Sequence, residues 1–500
     1  MSIARSPTVP KSSGSCARSV ARRGCIAGTV SSAGFNFLVQ YRQTGPVHIT
    51  DNQLAKALGA WRKPDVALAR ALADAVGDAA LDGRLRVGSR LPAERRTAAA
   101  LGVSRGTVIA ALGILRDEGW VGTRRGSAST LRLPPEATTR IATFSASGEG
   151  AAIDLRRAVP AAPHTTYQQA LLRATERSGP ILAESGETGP GLPELRSLIA
   201  DRYTAEGLAT RPEQVLITSG TRSALALLSA HLLPRVVAVE IPTYFDPLAG
   251  FRATGTRLAG CRVTTDGWDL DQLDDAFRIA AGGMAYLVPD FQNPTGALMP
   301  VAARRTVARL AERHRVTVVA DETMRDLDLR DTPAPLQRIP RSVLIGSAAK
   351  TIWAGLRVGW IRGTAALIGE LARHPMCEPL SAAPTQQLVA TELLRDLEPV
   401  LRDRRAALRR QRDHLSGLLD GDDRWRFTVP QGGLALWLHL TTMRADLVVT
   451  RARAYGLELS PGPSFAADAT HSHHLRLPYT PPIHTLDRVA TALDQACSDH

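Results

Sequence analysis

The stretch Gly346-Ser-Ala-Ala-Lys350-Thr-Ile-Trp-Ala-Gly-Leu-Arg357-Val-Gly-Trp360 decides how the rest of this chain is read. It follows a short apolar run, Val343–Ile345, and it holds the single lysine found after residue 63. Of 61 basic residues only four are lysines, at positions 11, 56, 63 and 350. Where arginine is used so freely, a lysine points to a task a guanidinium cannot perform: an amine can lose its proton and attack a carbonyl. Two polar residues upstream also sit just past apolar runs. Asn293 lies in Asp290-Phe-Gln-Asn-Pro-Thr-Gly296 after Met284–Val288, and Asp321 follows Val316–Ala320. In open α/β sheets ligands collect beyond the carboxyl ends of strands. An Asn, an Asp and a Lys at three such ends are placed to meet one ligand.

Further apolar runs, Gln214–Thr218 and Val236–Glu240, alternate with helical stretches from Ile153 onward. This alternation predicts an α/β domain with a largely parallel sheet over residues 153–500. A chain of 500 residues, 44% hydrophobic and 22% charged, has the length for two or three domains and the composition of a soluble protein. The longest uncharged stretch, Gly24–Tyr41, is broken by Ser, Thr, Asn and Gln and makes a poor membrane span. Five cysteines lack paired spacing, so neither a disulfide framework nor a metal site is expected, and the compartment is expected to be reducing.

Charge divides the chain unevenly. Residues 1–140 hold 21 Lys and Arg against 9 Asp and Glu, which accounts for +12 of the net +13. A basic front on a neutral body suggests that the front binds a polyanion. Residues 1–45 have six basic residues, no acid and much Ser, Gly and Ala. They read either as a transit-peptide-like segment or as the product of a start assigned too far upstream, so residues 1–50 are expected to be a disordered tail. In residues 51–133, helical spacing runs from Val66 to Ala80, and Leu91-Pro-Ala-Glu-Arg95 opens a second helix with Pro92 in its first turn. Ser104 is the expected N-cap of a third helix that turns Val108, Ala111, Leu112 and Leu115 inward. Trp120–Thr123 and Ser129–Leu133 then read as a hairpin with Arg124 and Arg125 at its tip. Such an order makes a winged helix. Residues 134–152 read as a linker.

The large domain resembles fold-type I pyridoxal-phosphate enzymes of the aspartate aminotransferase family, with a mostly parallel sheet and a smaller C-terminal α+β subdomain. The resemblance implies that Lys350 forms the Schiff base with the cofactor aldehyde and that Asp321 pairs with the pyridinium nitrogen. It implies that Asn293 bonds the ring hydroxyl and that Tyr244 stacks on the ring. Ser347, Arg357, Thr221 and Arg222 are implied at the phosphate, and Arg476 at the carboxylate of an amino-acid ligand. Two departures bear on turnover. Thr323 and Met324 stand where the family has a tyrosine, so its bond to the ring hydroxyl is lost or passes to Thr323. Gly186-Glu187 replaces a Tyr-Gly that often reaches the phosphate of the neighbouring subunit, a loss Arg222 is placed to offset.

The front domain resembles GntR-type winged-helix repressors through Leu91–Arg95 and Gly102–Val108, which implies that Arg95, Ser104, Arg105 and Thr107 face DNA, with Arg124 and Arg125 on phosphates or in the minor groove. The whole chain is similar to the MocR subfamily of bacterial regulators. That implies a cytoplasmic, nucleoid-associated homodimer that binds operator DNA and senses pyridoxal 5'-phosphate or an amino compound, rather than a working enzyme. Two alternatives stay open: a true aminotransferase with an accessory winged helix, and a regulator whose large domain serves only to dimerise.

Overall fold

The structure is a computed structural model, and it describes residues 48–62, 66–81, 84–85, 87–122, 129–132, 134 and 153–498. Among these the front unit has helices Asp51–Leu58, Leu68–Leu81, Glu94–Leu101 and Arg105–Asp117. The first is fixed by a reciprocal cap: Thr50 Oγ1 accepts from the Gln53 N–H at 3.3 Å, and Gln53 Oε1 accepts from the Thr50 N–H at 2.9 Å. The last two cross at 112° around Gly102, whose φ of 61° is left-handed and suits a residue without Cβ. Their inner faces meet in a core that includes Leu54, Leu72, Val76, Leu101, Val108 and Leu115. Val121–Gly122 pairs antiparallel with Thr130–Leu131 as the base of the wing, shorter than the strands expected there.

Two expectations need correction. Pro92 is not in the first helical turn. The first helical bond runs from the Thr97 N–H to the Ala93 carbonyl at 2.9 Å, so Ala93 is the N-cap and Pro92 precedes it. Nor does the folded unit wait for residue 51, since Ile49 is buried and its N–H donates to the Arg90 carbonyl at 3.0 Å. Arg124, Arg125, nearly all of the 1–50 tail and all of the 134–152 linker but Pro134 lie outside the described residues.

The large domain is built on a sheet whose strands lie in the spatial order Val215–Thr218, Gly359–Arg362, Val343–Ser347, Thr317–Asp321, Met284–Leu287, Val236–Ile241, Arg257–Thr264 and Gly267–Trp268. The five strands from Val343–Ser347 to Arg257–Thr264 run parallel. Alternate residues feed cores on opposite faces: Val236 and Ala238 join one, Val237, Val239 and Ile241 the other. That is why these strands read as unbroken apolar runs. Three strands of this sheet escaped the sequence reading, among them the two-residue edge strand Gly267–Trp268. Arg257–Thr264 is half-polar because it borders the sheet's edge hairpin, and Gly359–Arg362 has four residues and opens on glycine.

Gly359–Arg362 runs antiparallel to both of its neighbours. Its amino end therefore lies level with their carboxyl ends, with Gly359 beside Thr218 and Ser347. A Cβ on Gly359 would come within 2.7 Å of the Gly220 Cα, so only glycine allows this approach. The C-terminal subdomain is a second sheet, Trp425–Arg426, Ala435–Leu440, His474–Pro478 and Ser460–Pro461, all antiparallel. It packs with helices Leu397–Leu419, Ala445–Ala452 and Ile483–Ser498 around a core of its own. Ile153–Asp154 pairs with Leu457–Glu458, which brings the residues just after the linker onto this subdomain. No single described helix is long and apolar enough to cross a membrane.

Candidate functional site

One cleft opens at the carboxyl end of the parallel strands, and it is lined by all nine residues that the sequence reading placed around a ligand there. Thr221 and Arg222 begin the helix Thr221–Leu232 directly after Val215–Thr218, Tyr244 follows Val236–Ile241, and Asn293 follows Met284–Leu287. Asp321 and Ser347 end their strands, Lys350 lies in the next turn, and Arg357 precedes the antiparallel strand. Arg476 enters from the C-terminal subdomain, on the strand His474–Pro478.

Buried struts hold these positions. Glu240 accepts from the Gln292 Nε2 at 3.0 Å, the Trp268 Nε1 at 2.8 Å and the Val288 N–H at 3.0 Å, which pins the loop that carries Asn293. Its burial pushes its carboxyl up to about 7. Asp321 is buried, and both its oxygens are engaged: the Tyr286 hydroxyl donates to one at 2.9 Å, and the Thr323 N–H donates to the other at 2.9 Å. The Thr323 hydroxyl donates to that second oxygen as well, so it is committed to Asp321. Desolvation raises the Asp321 pKa, opposed by these donors and by Lys350.

Lys350 Nζ donates to the Ala158 carbonyl at 2.8 Å. Burial, and then the charge of Arg476, lower its pKa to about 8. Arg476 is 2% exposed and lies over the Phe465 ring at 4.6 Å. Its Nη2 donates to the Arg156 carbonyl at 2.5 Å and its Nη1 to Asn293 Oδ1 at 3.5 Å, while its Nε has no partner. Burial pulls the guanidinium down to about 10. Arg357 is exposed to the cleft and has no hydrogen-bond or ion-pair partner among the described residues. Arg222 pairs with Asp246 at 3.3 Å, and the Tyr244 hydroxyl donates to the same carboxylate.

Several cleft residues were missed, among them Arg156, Ala158 and three more. Tyr286 reads as strand core, Asp246 hides beside Tyr244 in Pro242-Thr-Tyr-Phe-Asp246, and Arg157 reaches the cleft only through the pairing of Ile153–Asp154 with Leu457–Glu458. Spacing carries no signal for any of them.

On the front unit, Ser104 caps the helix Arg105–Asp117: its Oγ accepts from the Thr107 N–H at 3.1 Å and lies 2.9 Å from the Thr107 hydroxyl. Arg105 is not free. Its Nε and Nη2 donate to Glu94 Oε2 at 3.1 and 2.9 Å. Arg95 is exposed and without a partner among the described residues. Ile109, one turn after Arg105, leaves 44% of its surface exposed, an apolar group on a helix face otherwise turned to solvent that sequence reading did not single out.

Residues 157–493 match the family model described as aminotransferase class I and II. The chain belongs to that family. Residues 68–131 of this aminotransferase-family chain match a second model, bacterial regulatory proteins of the gntR family. An uncharacterized HTH-type transcriptional regulator of Bacillus subtilis, YisV, is 27% identical over 457 residues, 84% of this chain and 93% of that protein. The probable rhizopine catabolism regulatory protein MocR of Rhizobium meliloti is 31% identical over 330 residues, 60% of this chain and 66% of its own. Among solved structures, LysN, an alpha-aminoadipate aminotransferase of Thermus thermophilus complexed with N-(5'-phosphopyridoxyl)-L-leucine, is similar with a TM-score of 0.63. It is 26% identical, and the match covers 73% of this chain and 97% of that one. A gntR-type helix–turn–helix thus precedes a fold-type I aminotransferase domain, the arrangement that the resemblance to MocR regulators implied.

The residues of the cleft fit pyridoxal 5'-phosphate, the cofactor of this family. The cleft offers a lysine with a depressed pKa, a buried carboxylate, an arginine without a partner among the described residues beside a helix N-terminus, and a buried guanidinium with an orphaned Nε, which are group types suited to an aldehyde, a ring nitrogen, a phosphate and a carboxylate.

Proposed function

We propose that this chain is a transcription regulator that binds operator DNA through residues 48–133 and senses pyridoxal phosphate, or an amino compound through it, in residues 153–500. One observation carries the reading. Lys350 and Arg476 hold the carbonyls of Ala158 and Arg156, a few residues into the large domain from the side of the DNA-binding unit. When bound, pyridoxal phosphate supplies an aldehyde that captures amines and a ring that draws off electron density. With the cofactor bound, Lys350 would direct its amine to the aldehyde and Arg476 its guanidinium to a ligand carboxylate. The Ala158 and Arg156 carbonyls would then lose these donors, which would change the energetics of the segment between the two units.

The other roles follow from position. Asp321, held by Tyr286 and Thr323, would keep a proton on the ring nitrogen, Asn293 would bond the ring hydroxyl and Tyr244 would lie against the ring face. Ser347, Arg357, Arg222 and the Thr221 amide would hold the phosphate. Arg357→Ala is expected to weaken cofactor binding by about 1.5–3 kcal/mol, the cost of a lost hydrogen bond to a charged group. Asp321→Asn should instead retain cofactor and slow amine capture. Equilibrium dialysis and stopped-flow absorbance separate the two, and reversed phenotypes would overturn these roles.

The protein acts as a homodimer in the bacterial cytoplasm, at the nucleoid. An apolar face supports the dimer: Tyr167 and Leu171 lie one turn apart on the helix His164–Glu176, and Tyr167 meets the ring of Trp353 edge-on at 5.3 Å. Leu171 and Trp353 are 39% and 36% exposed. Leu171→Glu combined with Trp353→Glu is expected to yield a monomer in sedimentation while cofactor absorbance persists; an unchanged dimer would sink this assignment.

The deciding experiment is operator binding with and without pyridoxal phosphate. A shift in operator affinity that disappears in Lys350→Ala supports the regulator. Operator binding indifferent to cofactor, with keto acid produced over many turnovers, would establish the aminotransferase reading instead.

A further inference from the structure

The cofactor cleft holds a guanidinium that pyridoxal phosphate and a simple amino acid leave without a task. Arg157 lines the cleft and is exposed there, with no hydrogen-bond or ion-pair partner among the described residues. Its two chain neighbours fix where it stands. The Arg156 carbonyl accepts from Arg476 Nη2 at 2.5 Å, and the Ala158 carbonyl accepts from Lys350 Nζ at 2.8 Å. Consecutive Cα atoms lie about 3.8 Å apart. Arg157 therefore branches from the backbone between the guanidinium assigned to a ligand carboxylate and the amine assigned to the cofactor. Its charge reaches that amine: burial first, then Arg476, lower the Lys350 pKa, and Arg157 acts in the same direction.

The groups around it are already engaged. Its neighbour Arg156 donates from Nε and Nη2 to the two carboxylate oxygens of Asp154, at 2.9 and 2.8 Å. The two aspartates that line the cleft have donors of their own. Asp246 takes Arg222 and the Tyr244 hydroxyl, and Asp321 takes Tyr286 and Thr323. The cations divide likewise: Arg357 and Arg222 go to the phosphate, and Arg476 goes to an α-carboxylate. Arg157 is left over. A guanidinium keeps its charge at any physiological pH, and its planar fork matches a carboxylate in two parallel hydrogen bonds.

We propose that Arg157 is a specificity-determining residue that selects acidic amino acids, its guanidinium meeting the anionic group of the ligand's side chain while Arg476 meets the α-carboxylate. The proposal rests on the reading of this cleft as a pyridoxal-phosphate site. An acidic amino acid carries its amine and two carboxylates on one short carbon chain. Residues 156–158 bring Lys350, Arg476 and Arg157 to one short stretch of backbone, which matches that arrangement group for group. A ligand held by Arg157 also bears directly on the segment that leads to the DNA-binding unit.

The test is titration of the full-length protein loaded with pyridoxal phosphate, followed through the cofactor's visible band. L-glutamate and L-aspartate are compared with L-glutamine and L-asparagine, since each amide matches its acid in shape and lacks only the charge. At least one acid is expected to bind roughly tenfold or more tighter than its amide, as a charge-assisted hydrogen bond provides. Arg157→Gln should keep the band and bring acid and amide to equal affinity. Arg157→Lys, which keeps the charge without the fork, should retain part of the preference, and Arg157→Glu should favour L-lysine over L-glutamate. A loaded wild-type protein that binds acid and amide alike, or whose band answers to none of these amino acids, would overturn the proposal and leave the cofactor reading intact. A preference undiminished in Arg157→Gln would place the second anion on another cation and equally overturn it. A wild-type protein that acquires no visible band would overturn the cofactor reading, and the proposal with it.

Discussion

Lys350→Ala is expected to show no visible absorption band after incubation with pyridoxal phosphate, and borohydride is expected to fix no cofactor to it. In the wild-type protein, borohydride should attach the cofactor to the peptide that contains Lys350. Attachment at Lys56 or Lys63 would refute the assignment. The same lysine gives a pH dependence whose sign follows from its environment. Burial and Arg476 lower its pKa to about 8, against the opposite pull of Asp321 and Asp246. Only the unprotonated amine attacks an aldehyde, so the proton must leave Nζ first. The rate of cofactor capture should therefore rise about tenfold per pH unit below 8 and level off above it. A rate still climbing steeply beyond about pH 9 would mean that the amine keeps an ordinary lysine pKa.

Arg105→Ala is expected to weaken binding to the operator by about 1–3 kcal/mol and to relax preference at one base position per half-site, because a bidentate guanine contact is lost. Scrambled DNA should be bound almost as before. The ion pair with Glu94 does not prevent this reading: both side chains are partly exposed, and such pairs are worth roughly 0.2–1 kcal/mol, less than the contact that replaces them. Glu94→Gln should therefore tighten operator binding modestly. Ile109, one turn further on and 44% exposed, offers an apolar group of the kind that packs on a thymine methyl, so Ile109→Ala is expected to cost affinity only where the operator carries one. Competition measurements over a salt series separate these effects from phosphate neutralisation, which the +12 on residues 1–140 makes steeply salt-dependent. Equal loss on operator and scrambled DNA would reduce Arg105 to a phosphate contact.

Much of the cleft was legible because its residues sit where the chain's periodicity breaks. Asn293, Asp321 and Lys350 each follow an apolar run, and a parallel sheet brings such positions to one end. Arg357 fits only once its strand is known to run backwards, which no local pattern reveals. Arg157 and Asp246 depend on pairings between residues hundreds of positions apart or on a turn beside Tyr244, and Tyr286 is indistinguishable from core until Asp321 is seen against it. The Glu94–Arg105 pair was equally invisible, since surface charges carry no periodic signature. At the front, Ser104, Gly102 and the inward face of the recognition helix were read correctly because caps and helical spacing are local. The proline at 92 misled, since its ring suits either side of a helix start.

The grip of Lys350 and Arg476 on the Arg156–Ala158 backbone has a thermodynamic corollary. If occupying the cleft changes the energy of the segment that leads to the DNA-binding unit, then DNA must change the energy of occupying the cleft. The two effects are one quantity measured from opposite ends. Operator DNA should shift the cofactor's dissociation constant by the same factor by which the cofactor shifts the operator's, and in the same direction. In a cell, the promoter would then act as a ligand that sets how much vitamin-derived cofactor the regulator holds.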